Sequence, residues 1–500
     1  MNWLFFSKKK IPATPNRCSF AILLENLHLR EIILLLTPDC QTQSNTMAHD
    51  YKSKSRDTFG SKFGIIAAVA GSAIGLGNIW KFPYMAGANG GSAFLLIYLV
   101  FLLILGVPAM MAEFSVGRKG RANAFTSFAN LTGGSAWKWV GMMGILSSFF
   151  IFSFYSTVAG WTLDYIVRTF MFTDPTGPFE QPEGYFAQFS ASGWLPVVYQ
   201  IIFILCTALV VKLGVTKGIE RTTKWMMPML LLLMVIIVIR SVTLPGAAEG
   251  VSFLFKPDFS KVTIDTCLNA MGQAFFSLSL AAGVVLIYGS YVKSTDNMMT
   301  STASVAISST LVAVLAGLMI FPATFSFGVA PTSGPNLIYV ALPSIFRNMV
   351  GGQFFALLFF ILLAMAALTS TISMLEAVIG FVSEHFHISR STAIWISIAA
   401  VAIFAIPATL SFMPEPMHLP SWLGGKTVFG TLDFLTSNIL MPAGCLLTVL
   451  FVSWGPGRKW FRDEVTNGGT IGRSWYKPLE FLLKWVTPVL VAVILVWGVL

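Results

Sequence analysis

The chain has 500 residues, of which 55% are hydrophobic and only 11% charged, and its mean hydropathy is +0.75. A soluble domain carries about 25% charged residues, so the composition excludes one and describes a multi-span membrane protein, with Phe and Trp for lipid-facing surfaces and aromatic belts. The net charge of +10 comes from Lys and Arg clustered between apolar runs, which is the positive-inside pattern and gives no reason to expect nucleic acid.

Residues 1–55 read as a cytoplasmic tail. The segment 24–36 is mildly apolar but broken by Glu25, Asn26, His28, Arg30 and Glu31, too polar to span, and it lacks a clean cleavage site. A polar stretch opens at Met47. Residues 1–46 therefore read either as an extension from a mis-assigned start codon or as an ordinary tail. Eleven apolar spans follow, at 61–87, 92–118, 137–172, 194–213, 218–243, 264–291, 297–327, 350–385, 390–411, 428–454 and 475–500. Basic residues at 52–62, 118–121, 212–224 and 458–473 share one side, which places the N-terminus in the cytoplasm and predicts a multi-pass protein of the cell membrane. The loops at 173–193, 244–263, 328–349 and 412–427 face outward.

The first span holds Gly71-Ser72-Ala73-Ile74-Gly75-Leu76-Gly77-Asn78. Each glycine costs a helix interior roughly 1 kcal/mol relative to alanine, so this helix is expected to open locally. Opened backbone at bilayer depth is tolerated only when buried in protein or lining a cavity. A weaker break, Ser277-Leu278-Ser279-Leu280-Ala281-Ala282-Gly283, interrupts the sixth span. A broken helix opening each of two five-span halves predicts an inverted repeat, 56–243 and 264–454, with 475–500 as an added eleventh span; such breaks point to a transporter's midplane site. Thr369 and Ser370 sit deep in the apolar eighth span, where hydroxyls bond between helices or back to the preceding turn. The spans show no nucleophile-plus-base pair, no HExxH and no clustered metal ligands, so no enzyme is expected. The five cysteines form no CxxC.

The runs GSAIGLGNIWKFP, NGGSAF, PAMMAEFSVG (108–117), GWTLDY (160–165), KGIER (217–221), GQAFFSLSL (272–280), SYVKSTD (290–296) and AALTSTI (366–372) resemble, in order, the neurotransmitter:sodium symporter family, in its bacterial eleven-span form. The resemblance implies an all-α fold of the LeuT type, with helices 1 and 6 interrupted. It also implies symport of an amino acid with Na⁺ by alternating access, no enzymatic activity and no obligate protein partner. The runner-up reading is a membrane sensor with the same site and no transport. On the family's pattern, the amides of Leu76 and Gly77, with Tyr155, take the substrate carboxylate. Carbonyls around Ala73, Phe276 and Ser279 take its ammonium. Ile151, Phe276, Ser279, Ala282, Ser370 and Met374 line the side-chain pocket, which carries no charge and so predicts a small neutral, hydrophobic or aromatic amino acid.

Two Na⁺ sites are implied. One uses the Ala73 carbonyl, Asn78, Ser277, the substrate carboxylate and, in the seventh span, Ser308 by ungapped counting back from Pro322. The other uses the carbonyls of Gly71, Ile74 and Ala366 with the hydroxyls of Thr369 and Ser370. The position that is acidic in chloride-independent relatives falls on Val312, and Tyr98, Gln273, Ser277 and Ser308 or Ser309 resemble a chloride shell. Lys81 and Asp433 match an outer gate supported by Gln273. Arg56 and Glu384, braced by Tyr291, match an inner gate, against the plainer reading of Glu384 as a solvated helix end. Gly218 and Pro228 mark a segment expected to unwind and open a water path to the second Na⁺ site.

Overall fold

The computed structural model describes residues 60–329, 335–415, 426–471 and 473–499. Residues 1–59, which include the tail at 1–55 and Arg56, lie outside them. The described residues contain no strand.

The first span is two helices, α1 (Lys62–Ala73) and α2 (Gly77–Ala88), bent by 52° at the break. Ser61 starts α1 by accepting from the Gly64 amide at 3.0 Å. Among the described residues, nine unbroken helices are long and apolar enough to cross a membrane. In chain order with the second broken pair they are α3 (Ser92–Gly120), α4 (Lys138–Thr169), α5 (Trp194–Lys212), α6 (Val215–Val242), the pair α7 (Ile264–Ser277) and α8 (Val284–Ser290), α9 (Met298–Ser326), α10 (Gly352–His385), α11 (Arg390–Leu410), α12 (Val428–Ser453) and α13 (Ser474–Val499). Neither α7 nor α8 is long enough alone; together they stand where the sixth span is expected. Two halves of five spans, each opened by a broken helix, followed by one more, is the predicted order.

Side chains cap these elements where the sequence changes from loop to helix. Thr263 and Thr266 form a capping box at α7, and Asn297, Ser389 and Thr427 cap α9, α11 and α12. The second break is held differently. Ser279 (φ 51°), Ala281 (φ 57°) and Gly283 (φ 71°) are all left-handed. For a non-glycine residue that costs roughly 1–2 kcal/mol. The wholly buried Glu113 of α3 offsets it by accepting from the Ala281 amide at 2.6 Å, and Ser148 donates to the Ala282 carbonyl.

The GWTLDY run lies on α4 and anchors the segment after α9. Tyr339, fully buried, donates to the Val158 carbonyl at 2.8 Å, and Tyr165 donates to the Tyr339 carbonyl at 2.7 Å. Asp164 accepts from Tyr185 of the Pro182–Ala191 loop helix at 2.5 Å. The segment expected to unwind is wound in this structure: α6 runs through Pro228, and its first turn, Val215–Glu220, is a π turn.

Candidate substrate and ion site

The two breaks meet each other, α4 and α10. Ser279 and Ser370 both donate to the Ser72 carbonyl, each at 3.2 Å. The Leu76 amide, freed by the break, donates to Tyr155 Oη at 2.9 Å. Gly75 and Gly77 are required by close approach. A Cβ on Gly75 would lie 2.4 Å from Ser370 Oγ and 3.0 Å from Tyr155 Oη, and one on Gly77 would lie 2.6 Å from the Phe276 ring. Between these elements is a cavity of about 30 Å³. Ala73, Gly77, Ile151, Tyr155, Phe276, Ser279, Ala282, Ser370 and Met374, all expected at the substrate, line it. So do Ser72, Gly75 and Met441, which sequence reasoning missed; Met441 lies on α12, far along the chain, and carried no signal. No lining side chain is charged.

Beside the cavity, Asn78 is completely buried. Its Nδ2 donates to the Ala73 carbonyl (3.0 Å) and to Ser309 Oγ (2.9 Å), while its Oδ1 has no hydrogen-bond partner among the described residues. Ser309 in turn donates to the Ser277 carbonyl at 2.9 Å, and Ser277 Oγ bonds Tyr98 Oη at 3.1 Å. The α9 hydroxyl that meets Asn78 is thus that of Ser309 and not that of its neighbour Ser308. Ser309 is buried on the face of α9 toward Asn78, whereas Ser308 is half-buried on another face. One residue turns a helix by about 100°, enough to remove a side chain from a site.

On the other flank Thr369 donates to the Ala366 carbonyl at 3.0 Å, a bond within its own helix. Gly71 faces it: a Cβ there would lie 3.5 Å from Thr369 Cβ and 3.0 Å from Met227 Sδ of α6. Ile74 is buried at the break. Thr369 and Ser370 are uncharged and buried, and hydroxyls and carbonyls of this kind are the ligands that a hard monovalent cation takes.

The two residues expected at the outer gate are apart in this structure. Lys81 and Asp433 form no ion pair. Lys81 Nζ lies 4.4 Å from the centre of the Phe276 ring, and the exposed Asp433 accepts from Ser437 at 3.0 Å, one turn along its own helix. Gln273 donates to the Gly77 carbonyl at 3.2 Å, so it braces the break and not the pair. A vestibule of about 340 Å³ opens there, lined by Lys81, Gln273, Phe276, Asn438 and Trp497 among others. At the opposite end Tyr291 donates to Glu376 (2.8 Å), a fully buried carboxylate that Arg390 also grips at 2.5 Å. Glu376 follows the Thr369–Ser370 pair on α10, and its charge inside a span was the available signal. Glu384 accepts from the Asn123 amide and side chain at 2.9 and 2.7 Å, so it is no simple solvated end.

The arrangement is that of a membrane protein with an uncharged central cavity between two helix breaks and the buried polar groups of Asn78, Ser277 and Ser309 beside it. A profile of the sodium:neurotransmitter symporter family matches residues 56–181 and 187–500. The chain is 40% identical over 435 residues to the uncharacterized sodium-dependent transporter YhdH of Bacillus subtilis, covering 87% of this chain and 96% of that one. It is 25% identical over 522 residues to the sodium-dependent serotonin transporter of Drosophila melanogaster, covering 93% and 80%. The crystal structure of MhsT in complex with L-phenylalanine superposes with a TM-score of 0.80 at 38% identity, covering 89% of this chain and all of that one. With both broken helices, the cavity between them and a match along nearly the whole described chain, this protein belongs to the sodium:neurotransmitter symporter family.

Proposed function

We propose that the protein imports a small neutral amino acid with a hydrophobic or aromatic side chain, driven by Na⁺, through alternating access. The observation that carries this reading is the uncharged cavity, closed on one side by the Leu76 amide and the Tyr155 hydroxyl. A broken helix offers free amides and the positive end of its dipole to a carboxylate. Leu76, Gly77 and Tyr155 hold the carboxylate, and the carbonyls of Ala73, Phe276 and Ser279 hold the ammonium. The apolar remainder of the cavity, with Ala282 and Met374, receives the side chain. The likeness to a relative crystallised with L-phenylalanine supports an aromatic substrate.

One Na⁺ is held by Ala73, Asn78, Ser277 and Ser309 together with the substrate carboxylate, so ion and substrate stabilise each other's binding reciprocally. The unpartnered Asn78 Oδ1 suits this role. The second Na⁺ is held by Gly71, Ile74, Ala366, Thr369 and Ser370. Lys81 and Asp433 approach each other when the outer path closes. On the family's pattern Glu384 pairs with Arg56, and this pair parts when the inner path opens.

Proteoliposomes containing the full chain test this directly. An inward Na⁺ gradient should drive accumulation of radiolabelled phenylalanine, abolished when Na⁺ is replaced by choline. Saturable binding without accumulation would favour a sensor instead.

A further inference from the structure

The KGIER run is not used by the mechanism above, yet its glutamate occupies a decisive place. Glu220 is 2% exposed and its carboxylate accepts from the Gly60 amide (2.8 Å), from Ser61 Oγ (3.2 Å) and from Lys224 Nζ (2.6 Å). Gly60 and Ser61 are the residues that start α1. A side chain of α6 thus grips the first turn of α1. The approach needs glycine: a Cβ on Gly64 would lie 2.2 Å from Glu220 Oε1. The same α1–α6 seam continues inward to Gly71 against Met227, next to Thr369. It therefore walls off the second Na⁺ site along its length.

Glu220 is also the last residue of the π turn Val215–Glu220. That turn begins after Gly214 at φ 88° and packs Gly218 directly on the Val210 carbonyl, where a Cβ would fall at 2.2 Å. Single π turns often mark functional sites. If this turn unwinds, the Glu220 backbone moves, and its carboxylate cannot keep both Gly60 and Ser61.

We propose that Glu220 is a positioning residue that couples unwinding at the start of α6 to release of the first turn of α1, so that both walls beside the second Na⁺ site open together. The proposal rests on the alternating-access reading. Its test is made on the protein itself without substrate, so its failure is distinguishable from a failure of the transport assignment.

The experiment is hydrogen–deuterium exchange on the full chain in detergent with Na⁺. Glu220→Ala should speed exchange at 60–64 and at 215–220 together, by about tenfold, as expected for loss of hydrogen bonds to a charged acceptor. Glu220→Gln keeps an acceptor for the Gly60 amide and should give a smaller change. Pro228→Ala, which restores a helix hydrogen bond, should slow both segments in the native background but only 215–220 in the Glu220→Ala background. Native-rate exchange at 60–64 in Glu220→Ala would overturn the coupling. So would slowing of 60–64 by Pro228→Ala regardless of Glu220. Equal acceleration in α10 would show that Glu220 serves the whole fold and would also overturn it.

Discussion

Tyr155 touches the Leu76 amide with the same hydroxyl that the proposed mechanism turns toward substrate. Tyr155→Phe removes that oxygen and little else. Hydrogen bonds to charged groups contribute about 1.5–3 kcal/mol, so phenylalanine affinity should fall by roughly 10- to 150-fold in a scintillation proximity assay. Gly75→Ala is expected to abolish binding while the protein still folds, because its methyl collides with Ser370 and Tyr155 at the cavity wall. The pair Ser308 and Ser309 separates an ion role from general packing. Ser309→Ala should raise the Na⁺ concentration for half-maximal uptake severalfold, and Ser308→Ala should leave it unchanged. The opposite ranking would remove Ser309 from the first site.

At the scale of elements, the second break depends on a residue 168 positions away in the chain. Glu113→Ala leaves the buried Ala281 amide without its acceptor, at a cost of about 1–3 kcal/mol. Glu113→Gln keeps a carbonyl oxygen in place. Thermal unfolding in detergent should therefore rank native above Gln above Ala. Equal melting of all three would mean that the left-handed residues at 279–283 hold themselves. Tyr339 makes the complementary tie: its ring and hydroxyl pin the segment after α9 to Trp161, Thr162 and Val158 of α4. This is where the GWTLDY run, quoted only for its resemblance, acquires a physical purpose.

For the whole molecule, the charge balance around the ion sites bears on chloride. The cluster of Tyr98, Ser277, Ser309 and Asn78 is uncharged hydroxyl and amide, and Gln273 donates instead to the Gly77 carbonyl. The two Na⁺ ions of the proposed mechanism, held beside such a neutral set, would favour a mobile anion, so replacing chloride with gluconate should reduce Na⁺-driven uptake in proteoliposomes. Unchanged uptake would remove chloride from the mechanism.

Hydropathy alone determined that the chain spans a membrane many times. Glycines at 71, 75 and 77 located the first helix break, because backbone propensity is a local property that no distant contact need supply. Resemblance extended this to the cavity wall, and most of those residues do meet there. Three kinds of fact depended on tertiary structure. The choice of Ser309 over Ser308 depends on helix rotation, which counting from a proline cannot fix. Met441 and Glu113 join their partners only when helices distant in sequence pack, and their own neighbours in the chain say nothing of that. The Lys81–Asp433 separation and the bracing of Gly77 by Gln273 are matters of conformation, since one set of charged and polar side chains can satisfy more than one arrangement of the same helices.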